Sequence, residues 1–357
     1  MNFKNALIEK LVALASLKKA AGNPEHFLIV STTALGDTLW ATPALRALRH
    51  AHPKGYIAVL TSRVGREVLK KNPHVDELFV VGDPPLRSLL GLYRILKKKA
   101  FGSIIVFHTS QRAILPFCAL LKPARLIGTA GINKGLDKLL THPVPQKMQH
   151  EIARRLELVG VMAQGCEIEF VTESANEFLK KHELSSKDFL VGIHPGAKDR
   201  FKQWEPGHFI AVGKKFVEER GARVIVSGSS HERALVSEIA SKIPGAIAMV
   251  GELNLASFAG LIEQMGLFIT NDTGPMHLAF AVKTPTVALF GPTDSKLCGP
   301  YFVQNAKVIQ KAPTCTPCLR KRCEEPFCLL QIGPDEVYEA GVELLSENFN
   351  IANSKNS

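Results

Sequence analysis

The chain has 357 residues, 46% of them hydrophobic and 22% charged, which is ordinary for a globular protein and long enough for two domains with full cores. Lys and Arg number 44 against 33 Asp and Glu, and the resulting charge of +11 favours an anionic partner: a phosphorylated substrate, an acidic membrane surface or nucleic acid. Aromatics are few and none interleave with a basic helix, which argues against nucleic acid, and no apolar run reaches the roughly eighteen residues of a membrane-spanning helix.

Residues 1–26 open with Phe3, Leu7, Leu11 and Leu14 on one helical face and Lys4, Lys10, Lys18 and Lys19 elsewhere. That pattern fits an amphipathic helix on an anionic membrane or one packed on the protein's own body. Glu9 and Lys10 precede the short apolar core, so the stretch reads as mature sequence and not as a signal peptide. Seven cysteines, four crowded between Cys315 and Cys328, do not resemble a secreted disulfide framework, so the expected location is cytosolic.

From Phe27 the pattern is β/α. Strands are expected at 27–31, 57–60, 78–81, 103–107 and 125–128, and helices at 38–50, 64–71, 86–99 and 111–121. Residues 131–149, rich in Lys, Pro and His, read as a surface loop facing an anionic ligand. A helix over 151–161 and a linker to about 187 follow. The rhythm then restarts, with strands at 189–194, 223–227, 246–250, 267–270 and 286–290 and helices at 208–220, 231–242, 257–264 and 276–282. Residues 334–346 read as helical and 348–357 as a disordered tail. Strands alternating with helices predict parallel sheets covered on both faces, here in two similar halves. The expected domains are 27–175 and 176–335, two Rossmann-like units facing a cleft, with 336–357 as a closing helix and tail.

The organising stretch is Leu267 to Asp294. A short apolar strand ends at Thr270, Asn271-Asp272-Thr273-Gly274-Pro275 breaks it, and Met276 to Val282 resumes helical spacing. The loop lies at the carboxyl end of a strand, where open α/β sheets bind ligands. Asp272 or Thr273 can cap the helix, Gly274 lets a ligand approach the backbone, and Pro275 suits the first turn. The free amides there would hold a phosphate, and His277 lies four residues beyond Thr273 on the same face. Read alone, the same stretch is a capped helix with a buried histidine.

Three further loops follow strands in the same way. Gly36-Asp37 opens the first helix; its carboxylate is a cap, or a base accepting a proton from an attacking hydroxyl. His194-Pro195-Gly196-Ala197, followed by Lys198, Arg200 and Lys202, is a pyrophosphate clamp or a solvated basic loop. In Ser227-Gly228-Ser229-Ser230-His231-Glu232, Glu232 binds ribose hydroxyls or steadies the helix start. GxGxxG and GxxxxGK[ST] are absent, against a nicotinamide dehydrogenase and a P-loop kinase, and no Asp-x-Asp pair occurs.

Together these loops resemble the bacterial lipopolysaccharide heptosyltransferases of glycosyltransferase family 9. The resemblance rests on Gly36-Asp37-Thr38 with Pro43 to Leu48, HPGA…KQWEPGHF from His194, SGSSHE from Ser227, and TNDTGPMHLA with ALFGPTD, and covers residues from about 27 to 340. It implies a two-domain GT-B enzyme that moves heptose from ADP-heptose to an anionic lipid A–core acceptor with inversion, with no metal cofactor, at the cytosolic face of the inner membrane. By position it makes Asp37 the catalytic base, Lys202 the lysine facing the diphosphate and Glu232 the acid near the ribose. Gly196, Asp272, Thr273, Gly274 and His277 fall in the loops that hold the donor. A family 9 transferase using another sugar or acceptor, and a non-catalytic nucleotide-sugar binder, are the competing readings; the presence of both Asp37 and Lys202 argues against the binder. Cys315-x2-Cys318-x4-Cys323-x4-Cys328 leaves a structural zinc, free thiols or a disulfide open.

Overall fold

The computed structural model describes residues 22–354 except 110, 164, 313, 314, 316, 317, 319–322 and 324, with side chains described to 347. Of the amphipathic helix expected over 1–26, residues 1–21 lie outside the described residues, and 23–26 are instead the start of the first strand, Asn23–Ser31, which pairs in parallel with its sheet neighbours. The chain divides into two compact units, Met1–Glu169 and Phe170–Ser357.

Unit 1 carries β1 (Asn23–Ser31), β2 (Tyr56–Thr61), β3 (Glu77–Val80), β4 (Phe101–His108), β5 (Arg125–Thr129) and β6 (His142–Val144). They form one parallel sheet in the order β3-β2-β1-β4-β5-β6. Its helices are α1 (Leu35–Leu39), α2 (Thr42–Ala51), α3 (Arg63–Leu69), α4 (Pro85–Lys98), α5 (Ile114–Leu120) and α6 (Glu151–Val159). Leu28, Ile29 and Val30 of β1 are fully buried, as a central strand covered on both faces requires. Each contributes about 1.5–3 kcal/mol of burial.

In unit 1 two features depart from the expected elements. The single helix expected over 38–50 is two, α1 and α2, because Pro43 has no N–H to give and its ring would strike the carbonyl four residues back; the chain restarts with Pro43 in the first turn of α2. The loop expected over 131–149 contains β6, which pairs in parallel with β5 from Ile127↔His142 to Thr129↔Val144. As the outermost strand of the sheet, β6 tolerates Pro143, which lacks a ladder donor.

Unit 2 repeats the plan. Its strands are β7 (Leu190–His194), β8 (Arg223–Gly228), β9 (Ile247–Val250), β10 (Leu267–Asn271), β11 (Thr286–Phe290) and β12 (Ala306–Gln310), in the order β12-β11-β10-β7-β8-β9. The helices are α7 (Asn176–Lys181), α8 (Pro206–Arg220), α9 (Arg233–Ser241), α10 (Leu255–Glu263), α11 (Gly274–Ala281), α12 (Ser295–Cys298), α13 (Phe327–Leu330) and α14 (Pro334–Ser354). Counted from its own amino end, this is the same order as in unit 1, so both units are doubly wound Rossmann-like sheets. The chain reverses direction across the sheet between β1 and β4 in unit 1 and between β7 and β10 in unit 2.

Gly221 ends α8 in the left-handed region at φ 61°, where a side chain would be strained. The expected tail from 348 is helical as far as Ser354, since α14 continues without a breaker. Its first turns lock onto α8 through Lys215–Asp335 at 2.7 Å and the Phe216 and Tyr338 rings, 4.7 Å apart. Among the described residues no helix is long and apolar enough to cross a membrane.

Candidate active site

In unit 1, Asp37 is the third residue of α1, just past the carboxyl end of β1 at the switch point. One carboxylate oxygen, Oδ2, accepts the Ala34 amide at 3.4 Å, a local cap. The other, Oδ1, lies 3.4 Å from Nη2 of Arg155, whose side chain is fully buried while that of Asp37 is 23% exposed. The carboxylate thus has one protected cationic partner and one open side.

Arg155 comes from α6 and is held by more than Asp37. Its Nη1 donates to the Glu151 carboxylate at 2.5 Å and to the Glu151 carbonyl at 2.9 Å, and its guanidinium lies 5.4 Å from the centre of the Trp40 ring. Arg154 donates to the same Glu151 oxygen at 2.7 Å and to the Phe107 carbonyl at 2.9 Å, tying α6 to β4. Burial pushes the Glu151 carboxyl up, but Arg155 and Arg154 outweigh it and hold it down at about 2. His108, at the end of β4, is pushed down by burial, against the pull of Asp37. This arrangement around Asp37 was absent from the sequence reading. Its signal was the spacing of Ile152, Arg155, Leu158 and Val159, which places Arg155 on the buried face of an otherwise apolar helix stripe.

In unit 2, the loops after β7, β8 and β10 meet at the carboxyl edge of the sheet. Lys202 Nζ donates to Asp272 Oδ2 at 2.5 Å; the lysine is 23% exposed and the aspartate 5%. Asn271, the last residue of β10, organises the neighbourhood. Its amide donates to the Pro195 carbonyl at 2.8 Å, and its oxygen accepts the Trp204 amide at 3.1 Å. Trp204 is in turn anchored through its indole N–H on the Ile332 carbonyl at 2.9 Å. The KQWE segment is therefore pinned on both sides, and that pinning carries Lys202 to Asp272.

Thr273 is the N-cap of α11, yet its side chain makes no capping bond. Among the described residues its buried Oγ1 finds no hydrogen-bond partner. Pro275 sits in the first turn and His277, one turn on, is buried. An unpartnered hydroxyl at a helix start, next in sequence to the aspartate that binds Lys202, suits the reception of an anion's oxygens.

Glu232 joins the other two loops. Its Oε2 accepts the Ser229 amide at 2.8 Å and the Ser229 hydroxyl at 2.7 Å. Its Oε1 lies only 1.9 Å from where a Cβ on Gly196 would stand, so only glycine allows the carboxylate to rest on the HPGA loop. His194, buried beneath, has Nδ1 3.0 Å from the Ser227 hydroxyl. Burial, opposed by Glu232, pushes its imidazole down to about 4, so it is neutral at physiological pH; the Ser227 hydroxyl also donates to the Ile193 carbonyl at 3.3 Å.

Gly196, Lys202, Glu232, Asp272, Thr273, Gly274 and His277 are thus gathered in unit 2, and Asp37 stands in unit 1. The described cysteines Cys315, Cys318, Cys323 and Cys328 all carry free thiols. Among the described residues no group of three or more His, Cys, Asp or Glu side chains is placed to hold a metal ion.

Comparison with known proteins places this geometry. The profile of glycosyltransferase family 9 (heptosyltransferase) matches residues 91–328. The chain belongs to that family. It is 25% identical over 337 residues to lipooligosaccharide heptosyltransferase 2 of Campylobacter jejuni, covering 88% of this chain and 97% of the relative. To lipopolysaccharide heptosyltransferase 3 of Escherichia coli it is 28% identical over 291 residues, covering 74% and 82% of the two chains. The solved structure of E. coli ADP-heptose LPS heptosyltransferase II aligns with a TM-score of 0.74 at 21% identity, over 90% of this chain and 99% of the other. The chain is a glycosyltransferase of the heptosyltransferase family, and its two Rossmann-like units are those of the GT-B fold.

Proposed function

We propose that this family 9 enzyme transfers heptose from ADP-heptose to the inner core of lipopolysaccharide, with inversion at the anomeric carbon. The observation that carries the reading is the setting of Asp37: a part-exposed carboxylate at the switch point of unit 1, steadied from behind by the buried Arg155. The names of the relatives, lipooligosaccharide and lipopolysaccharide heptosyltransferases and an ADP-heptose enzyme, support the donor and the acceptor class.

In this mechanism Asp37 takes the proton of the acceptor hydroxyl as its oxygen bonds to the anomeric carbon. The bond from that carbon to the diphosphate oxygen breaks on the opposite face, and ADP leaves with the electron pair. The charge developing on the diphosphate is met by Lys202 and by the amides and unpartnered Thr273 hydroxyl at the start of α11. Gly196 and His277 shape the pocket for diphosphate and sugar, while the Glu232 oxygen beside Gly196 accepts ribose hydroxyls. No metal enters the scheme, because lysine and helix start supply the positive field. The acceptor's phosphates and carboxylates suit the +11 charge of the chain, and its lipid puts the enzyme at the cytosolic face of the inner membrane. The test is ADP release from ADP-heptose with truncated core acceptors, beside UDP- and GDP-sugars. Turnover confined to ADP-heptose supports the reading, and turnover with another nucleotide sugar overturns the donor assignment.

A further inference from the structure

Away from both switch points, α4 and α5 of unit 1 enclose an apolar pocket of about 500 Å³. Leu86, Leu90 and Tyr93 line it from α4, and Pro116, Phe117 and Leu120 from α5. Leu86 and Leu90 are 64% and 69% exposed, one turn apart at the pocket's rim. Large apolar side chains that open in this way onto a fillable cavity mark a binding surface and not a stray exposed leucine.

The charges around the pocket identify what fits it. Residues 85–98 contain Arg87, Arg94, Lys97 and Lys98, all exposed, and no acidic residue. Arg87, Arg94 and Lys98 recur at helical spacing along the stripe next to Leu86, Leu90 and Tyr93. Lys97 lies over the Tyr93 ring, 5.0 Å from its centre, and donates to its hydroxyl at 2.7 Å. The α5 segment, ILPFCAL, carries no charge. A helix with leucines on one stripe and cations on the next has the composition of an interfacial membrane helix. Residues 1–21 do not complement this face electrostatically, since they carry four lysines and one glutamate.

We propose that the α4–α5 pocket receives an acyl chain of an anionic membrane lipid, with α4 lying along the headgroups and Arg87, Arg94, Lys97 and Lys98 on their phosphates. This goes beyond the transfer reaction and does not rest on it, because vesicle binding is read without donor or acceptor.

The test is co-sedimentation of the full-length protein with phosphatidylcholine vesicles and with vesicles containing about one-third phosphatidylglycerol. Binding should be at least tenfold tighter to the anionic vesicles. Arg94→Gln with Lys98→Gln should weaken it by roughly 25-fold, about fivefold for each cation lost near an anionic surface. Leu86→Glu with Leu90→Glu, at exposed positions that leave the fold intact by circular dichroism, should abolish it. A Leu90→Trp variant should be quenched by brominated acyl chains beyond the quenching of the native tryptophans. Equal binding to both vesicles, unchanged binding by the α4 variants, or no added quenching would overturn the proposal. So would a shift of Leu90→Trp emission on deleting residues 2–21 in the absence of lipid, because the protein's own amino-terminal segment would then occupy the pocket.

Discussion

Arg155 reaches Asp37 from beneath, Nη2 to Oδ1 at 3.4 Å, with the guanidinium fully buried and the carboxylate partly open. A buried cation that already serves Glu151 at 2.5 Å gives Asp37 a fixed orientation while leaving one face of the carboxylate for a substrate proton. In the proposed mechanism Arg155 is a positioning residue and Asp37 the catalytic one.

Removing the cation should therefore cost both fold and rate. Arg155→Met takes one of two arginines from Glu151, which keeps Arg154 at 2.7 Å and is 30% exposed, so the loss should fall below the roughly 3–5 kcal/mol of an uncompensated buried charge. Urea unfolding should show that loss. Steady-state kinetics should show kcat falling at least tenfold with little change in the donor KM. Arg155→Lys should recover part of the stability. A variant with full kcat would remove Arg155 from the positioning role.

The Lys202–Asp272 pair makes a second case, because the aspartate is 5% exposed. Lys202→Met should destabilise by about 3 kcal/mol, the low end for an uncompensated buried charge. It should also weaken ADP binding at least tenfold by calorimetry. Adding Asp272→Asn should restore stability and leave ADP binding weak. Recovery of both together would mean that the lysine serves only the fold.

Gly196 is argued on space alone. A methyl there would stand 1.9 Å from Glu232 Oε1, so Gly196→Ala must displace the carboxylate. Because the atom met is the free end of a flexible, half-buried side chain, the expected stability cost is at most about 1 kcal/mol, the low end for overpacking, and the main effect is a weaker affinity for ADP. Glu232→Ala in the same chain should relieve the stability loss but not the affinity. ADP affinity of the single variant equal to wild type would show that the loop gives way.

Acid should unfold the protein in two stages. His194 sits at about 4 in the folded chain and near 6.5 when unfolded, so the unfolded state binds the proton first. Its contribution is present above about pH 6.5 and lost as pH falls toward 4, of order 3 kcal/mol. Glu151, held at about 2, follows: its contribution is present above its ordinary value of 4.5 and lost toward pH 2. Urea titrations from pH 8 to 3 should show the first decline, and His194→Gln should flatten it. An unchanged slope in that variant would assign the decline to other groups, such as His108, which burial also pushes down.

Much of this was legible from the chain. Apolar runs ending in glycine loops gave ten of the twelve strands in order, because fully buried parallel strands leave the plainest trace a sequence carries. β6 was hidden by Pro143, admissible only on an edge, and β12 by a pattern, AKVIQ, that is only partly buried. The loop residues of unit 2 stood out for their glycines and cations. The Asp37 surroundings did not: the helix over 151–161 is plain, and the spacing of Arg155 with Ile152, Leu158 and Val159 hints at its buried face, but nothing local points it at Asp37. That placement follows from a tertiary contact between α6 and β4 that no local pattern reports. The position of Glu232 in SGSSHE suits a ribose ligand or a helix brace; the brace, through Ser229, is observed, and ribose binding is the proposal.

The measurement that bears most directly on the central claim is heptose transfer from ADP-heptose to truncated core acceptors by wild type and Asp37→Ala, with ADP affinity measured on both. The account predicts turnover by wild type, a loss of at least a hundredfold in kcat for the variant, and ADP affinity unchanged within about twofold, since Asp37 lies in unit 1 and the donor residues in unit 2. Turnover retained by Asp37→Ala, or lost only in step with ADP binding, would contradict Asp37 as the base.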